Sequence, residues 1–157
     1  MEVTGLTIDP VNNAPIVVLR EHGGERLLPI WIGVVEASSI AFELEGVKLT
    51  RPMTHDLLRN VIQDLKATVE RIVVCDVQDN TFYALIHLTR EGQAMTIDAR
   101  PSDAIALALR TRAPIFVEEN VIDHAKTVDF SPDKPDAERL HKWLESLDPE
   151  DLGKYKM

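Results

Sequence analysis

The sequence predicts an α+β fold in which mostly antiparallel sheets pack against helices. Three observations carry that expectation. Apolar runs of strand length give way to stripes at helical period, turn residues separate the strands at hairpin distances, and the elements repeat at an offset of 65 residues.

In chain order, strands are expected at 2–9, 15–20 and 26–32, with Glu21-His22-Gly23-Gly24 turning between the last two. A helix follows over 36–45, because Ala37, Ile40, Ala41 and Leu44 form an i, i+3, i+4, i+7 stripe and Gly46 stands just past its end. A second helix is expected from Pro52 to Lys66, with Leu57, Leu58, Val61, Ile62 and Leu65 on one face. Strands return at 69–77, 81–89 and 93–98, separated by Gln78-Asp79-Asn80 and Glu91-Gly92. A third helix spans 101–112, and Pro114 marks 113–117 as an edge strand, since proline cannot donate to a central ladder. The 65-residue offset lays Ile40-Ala41-Phe42-Glu43-Leu44 over Ile105-Ala106-Leu107-Ala108-Leu109, which suggests a duplicated β-β-β-α unit, although two buried helices would also look alike by chance.

The core is expected to end near Ile122, giving one domain at 1–122. Residues 123–157 then read as an acidic linker and a C-terminal amphipathic helix with Leu140, Trp143, Leu144 and Leu147 in its stripe. A capped turn, Asp148-Pro149-Glu150-Asp151 closed by Gly153, comes after it. At 157 residues the chain can bury a full core without disulfides or a structural metal. Neither a secretory signal nor a membrane-length apolar stretch is visible, so a cytoplasmic protein without membrane attachment is expected. Cys75 lies within Ile72-Val73-Val74-Cys75 and reads as a buried strand thiol.

The net charge is −9, which argues against bulk electrostatic affinity for nucleic acid. Much of it is local: residues 118–157 carry eleven acids against six bases. No H-E-x-x-H, C-x-x-C, G-x-S-x-G or P-loop occurs, which removes the common hydrolase and nucleotide-binding templates.

What remains is concentrated at two Arg-Pro helix starts. Proline favours the first helical position and drives its predecessor out of the α region, so Arg51 and Arg100 should be N-caps. A guanidinium beside free helix amides suits phosphate, and Ser102 joins Arg51 and Arg100 as a substrate-binding candidate. The same arginines could instead pair with Asp56, Asp98 or Asp103. Glu36, Asp98 and Asp103 fall at strand ends or first helical turns, where clustered carboxylates would suit Mg²⁺ or Mn²⁺. Acids are also favoured there by the helix dipole alone, and Asp103 could close a capping box. His55, flanked by Thr54 and Asp56, is the candidate general base, and His55, Asp56 and Asp103 form the candidate catalytic set.

Three segments carry a family resemblance: Leu28-Pro29-Ile30-Trp31-Ile32-Gly33 with Glu36-Ala37, then Arg51-Pro52-Met53-Thr54-His55-Asp56-Leu57, then Asp98-Ala99-Arg100-Pro101-Ser102-Asp103-Ala104-Ile105-Ala106-Leu107-Ala108. Over residues 1–122 the chain resembles the bifunctional nuclease family, and 143–152 is similar to the ending of its bacterial members. The resemblance implies a compact α+β domain that self-associates and cleaves DNA and RNA. Two functions are therefore expected: a metal-assisted nuclease, or a non-catalytic, self-associating homo-oligomeric module, regulatory or small-anion-binding. The apolar run Ala104–Leu109 motivates the second, since it must be buried by the core or by a neighbouring subunit.

Overall fold

The computed structural model describes residues 1–9 and 12–125 together with the backbone of 128–129. Twelve elements follow in order: β1 (Glu2–Ile8), β2 (Pro15–Arg20), β3 (Arg26–Trp31), α1 (Val34–Leu44), α2 (Thr54–Asp64), β4 (Ala67–Gln78), β5 (Thr81–Arg90), β6 (Gln93–Ala99), α3 (Pro101–Thr111), β7 (Ile115–Val117), α4 (Glu119–His124) and β8 (Val128–Asp129). They build two four-stranded sheets, ordered β1-β2-β3-β8 and β6-β5-β4-β7. The fold is α+β, and every pairing is antiparallel except that of β4 with β7.

Each sheet is founded on a three-strand meander, β1-β2-β3 and β4-β5-β6, and each meander feeds a helix on the core side. The second meander turns through two two-residue loops. Asp79 and Asn80 have φ of 48° and 59°, and Glu91 and Gly92 have 51° and 79°, which matches the mirror-image turns that suit twisted hairpins. One core joins the two sheets: Val17, Leu19, Leu28 and Ile30 from the first meet Ile72, Val74, Phe82 and Ala84 from the second, with Ile40 of α1 and Ala104–Ala108 of α3 between them. The apolar run of α3 is thus buried within its own chain, which answers the expectation that a neighbouring subunit could be needed there.

Three expectations are corrected. The second helix begins at Thr54 with extended Met53 as its N-cap, so Arg51 lies outside the helix and only Arg100 caps one. Asp56 explains the shift: its Oδ2 accepts from the Met53 N–H at 2.9 Å, which fixes the third helical position at 56. The stripe Leu57, Leu58, Val61 and Leu65 is exposed, and only Ile62 of that face packs on the core. His55 is buried instead, because α2 leans on α3 through its polar side. Finally, residues 119–124 form α4, anchored by buried Val121 and Ile122, where no helix was expected and a loop was expected from Asp123; six residues are too short to show a helical period. The stripe predicted at 140–147 and the turn after it lie outside the described residues. Among the described residues, no helix is long and apolar enough to cross a membrane.

Candidate functional site

The first turns of α1, α2 and α3 converge, and four polar side chains from them link into one chain with Ser39. Ser39 Oγ lies 2.8 Å from His55 Nδ1, and His55 Nε2 lies 2.8 Å from Asp103 Oδ1. Asp103 Oδ2 accepts from Arg100 Nε at 2.7 Å, and Arg100 Nη2 reaches Glu36 Oε1 at 2.7 Å. Burial pushes the Asp103 carboxyl up, but hydrogen bonds from Arg100 and His55 outweigh it and hold the group below its ordinary value. Asp103 is therefore ionised and can only accept, which puts the imidazole proton on Nε2 and leaves Nδ1 to accept from the Ser39 hydroxyl. The order resembles a Ser-His-Asp relay, but its exposure runs the wrong way for one. Ser39 is only 4% exposed, whereas the Asp103 and Arg100 side chains are 28% and 51% exposed. The end that can meet a ligand is the Arg100–Asp103 end.

Asp103 ahead of Glu36 raises the Arg100 pKa, despite some desolvation. The Arg100 guanidinium answers two carboxylates, so this outer group carries one formal negative charge in excess.

A second constellation lies beneath the first. Arg110, in the last turn of α3, is almost wholly buried. Its Nε donates to Asp56 Oδ1 at 2.7 Å, its Nη1 to Ala106 O at 2.9 Å and its Nη2 to Ser39 O at 3.1 Å. One guanidinium thus ties together the three helices that supply the relay. Burial raises the Asp56 pKa, while the Met53 amide and Arg110 more than compensate, and the net shift is downward. Sequence reasoning missed both Ser39 and Arg110. For Arg110 a signal existed, since it falls seven residues after Asp103 and four after Ala106, on a face that the apolar pattern already assigned to the interior.

The remaining candidates scatter. Asp98 pairs with Leu85, whereas its neighbour Ala99 pairs with buried Ala84. Side chains alternate across a sheet, so Asp98 faces away from the helices and from Glu36 and Asp103. Arg51 is exposed and joins no ion pair among the described residues. Ser102 is fully buried, and its Oγ has no hydrogen-bond partner among the described residues, so it is not presented to solvent. Among the described residues, no three His, Cys, Asp or Glu side chains are placed to share a metal ion. Glu36 and Asp103 approach that condition but are bridged by Arg100. Gly33 makes room for this bridge: a Cβ there would lie 2.2 Å from Glu36 Oε2. Cys75 is half-buried and free, and burial raises its pKa, which makes it a poor nucleophile.

Comparison with known proteins places this geometry. The bifunctional nuclease domain matches residues 17–129, which includes all three converging helix starts. The chain belongs to the bifunctional nuclease domain family. An uncharacterized protein of Mycobacterium tuberculosis is 38% identical, covering 97% of this chain and 96% of its own length. Bifunctional nuclease 2 of Oryza sativa subsp. japonica is 30% identical over 68% of this chain and 34% of its own length. Bifunctional nuclease 1 of Arabidopsis thaliana is 28% identical over 67% of this chain, again 34% of its own length. The chain therefore spans about a third of these plant relatives, and what it shares with them is the bifunctional nuclease domain.

Proposed function

We propose that this protein is a nuclease that hydrolyses phosphodiester bonds of DNA and RNA at the open end of the Arg100–Asp103 pair. The observation that carries the reading is the ionised, partly exposed Asp103 carboxylate, fixed from within by buried His55 and flanked by a half-exposed arginine. In this arrangement Arg100, with Arg51 as a second cation, holds a phosphate, while Asp103 accepts a hydrogen bond from the attacking water and orients it. His55 acts through Asp103, because both ring nitrogens are engaged internally. Asp56 acts further back, through Arg110.

The three carboxylates expected to hold Mg²⁺ or Mn²⁺, Glu36, Asp98 and Asp103, do not meet in this arrangement. A divalent ion would belong to this reading as a competitor of Arg100 for Glu36 and Asp103, releasing the guanidinium toward phosphate. The deciding assay incubates purified protein with single- and double-stranded DNA and RNA, in Mg²⁺, in Mn²⁺ and in EDTA. Wild type is expected to exceed a His55→Ala, Asp103→Ala double variant by at least about 100-fold. Equal rates would assign the cleavage to a contaminant and end the proposal. With two phosphate-binding cations, the slope of log affinity against log salt should be no steeper than roughly −2.

One observation favours a second reading. Arg100 is already paired with two carboxylates, as expected of a non-catalytic module whose Arg-Pro starts hold ion pairs or a small anion. Inorganic phosphate binding that Arg100→Ala removes, without cleavage under any condition, would support it.

A further inference from the structure

The connection from α1 to α2 is tied at both ends and held by nothing between them. At one end Gly46, at φ 65°, turns the chain out of α1, and the Val47 N–H donates to Phe42 O at 2.8 Å. At the other end the Met53 N–H donates to Asp56 Oδ2 at 2.9 Å. Residues 48–52 make no hydrogen bond or ion pair among the described residues, and residues 43–54 are all exposed. A segment with so few contacts belongs to the least stable part of a fold. It also runs back to the candidate site. α1 starts there with Glu36, and its eleven residues carry the chain about 16 Å away at a rise of about 1.5 Å per residue. The connection then returns it to His55, whose ring meets Asp103.

The charge at the opening gives this segment a task. Glu36 and Asp103 outnumber Arg100 by one, so a phosphodiester approaching that group meets a net repulsion. Arg51 alone brings the opening to neutrality and leaves the ligand's own charge unanswered. Lys48, three residues before Arg51 on the same untied stretch, is the next cation along the chain and pairs with no carboxylate among the described residues, Glu43 and Glu45 included. We propose that residues 48–52 form a strap that closes over the Arg100–Asp103 opening when a phosphodiester strand binds, and that Lys48 then joins Arg51 and Arg100 on the strand's phosphates. The proposal rests on the nuclease reading for its ligand. It adds a third phosphate contact to the two already counted, and Lys48 and Arg51 together offset both the excess charge of the opening and that of one phosphodiester.

The test is hydrogen–deuterium exchange on the full chain, free and with a phosphorothioate-linked DNA oligonucleotide, with fluorescence anisotropy for affinity. The amides of residues 48–51 have no acceptor in the fold and should exchange fast in the free protein. Closure should slow the 47–53 peptide several-fold while the turn at 21–24 stays unchanged. Lys48→Ala should weaken oligonucleotide binding about fivefold, flatten the slope of log affinity against log salt by roughly 0.7–0.9, and reduce the protection of the strap. Lys48→Arg should restore all three, and Lys66→Ala, at the end of α2 remote from the opening, should alter none. Both lysines are exposed, so these variants should keep the fold. An oligonucleotide that binds without slowing the strap, or whose binding ignores Lys48→Ala, overturns the proposal and leaves the nuclease reading standing. Protection of the strap without cleavage of ordinary DNA or RNA in Mg²⁺ or Mn²⁺ sustains the strap and sinks the nuclease reading. If no oligonucleotide binds, both fall.

Discussion

The two Arg-Pro dipeptides look alike in sequence and differ in almost every structural respect. Arg100 is a helix N-cap, bound to the acid three residues on and to an acid of another helix; Arg51 stands two residues short of its helix's N-cap and joins no ion pair among the described residues. The difference originates in the acid beyond each proline. After Arg100-Pro101, the acid at the third helical position faces inward to His55 and back to Arg100. After Arg51-Pro52, Asp56 captures the Met53 amide and turns its other oxygen to Arg110, so the helix starts late and the arginine is left out. The first start is tied to the interior through His55 while its arginine stays half exposed, and the second is left out of that network.

Substitutions that break or sharpen this contrast should fall in a definite order. Arg110→Met should cost most, about 3 kcal/mol in urea unfolding, because it leaves Asp56 without its cation and the Ser39 carbonyl without its donor. If the cost were instead below about 1 kcal/mol, Arg110 would not be what holds the α2 start against α3. Asp103→Ala should cost about 2 kcal/mol, since the Nε2–H of His55 then has no acceptor inside the fold. Arg100→Ala should cost about 1 kcal/mol or less, as it is half exposed, yet it should raise the Asp103 pKa, readable by carboxyl-selective NMR titration. Arg51→Ala should change stability by less than about 0.5 kcal/mol while weakening nucleic-acid binding by filter retention or anisotropy.

Acid sharpens the same comparison. Asp103 and Asp56 both titrate below their ordinary 3.8, so the folded protein binds fewer protons than the unfolded chain as the pH falls into that region. The stability they contribute is complete above about pH 5 and declines as pH drops toward and through their folded values. An Asp56→Asn, Asp103→Asn variant should therefore show a flatter loss of stability than wild type between about pH 5 and about pH 3. Parallel curves would mean that the two starts are not electrostatically anchored.

Much of this architecture is legible in the sequence. The strands, both two-residue hairpins, the Gly46 helix end and the Arg100 cap obey local rules of turn and cap chemistry. The face of α2 is not legible, because an apolar stripe announces only that something should cover it. The inner positions beside α2 are already taken by Ala104–Ala108 of α3, and buried Arg110 requires a partner that only the polar side of α2 can offer. Asp98 is misplaced for a different reason: which side of a sheet a residue faces depends on register, and register is fixed by pairing partners far along the chain. Ser39 leaves no signal, being one of two adjacent serines in the middle of α1.

Gly33 shows how little material can set a charge balance. Its backbone is extended at φ −73°, a conformation open to every residue, so what matters there is the missing side chain. The space left by that absent carbon is occupied by an oxygen of Glu36, and it gauges how many acids one arginine must answer. Alanine at 33 would narrow that space and require the tip of the Glu36 side chain to shift. A single methyl group, several bonds from any charge, would thereby press on the carboxylate that Arg100 answers.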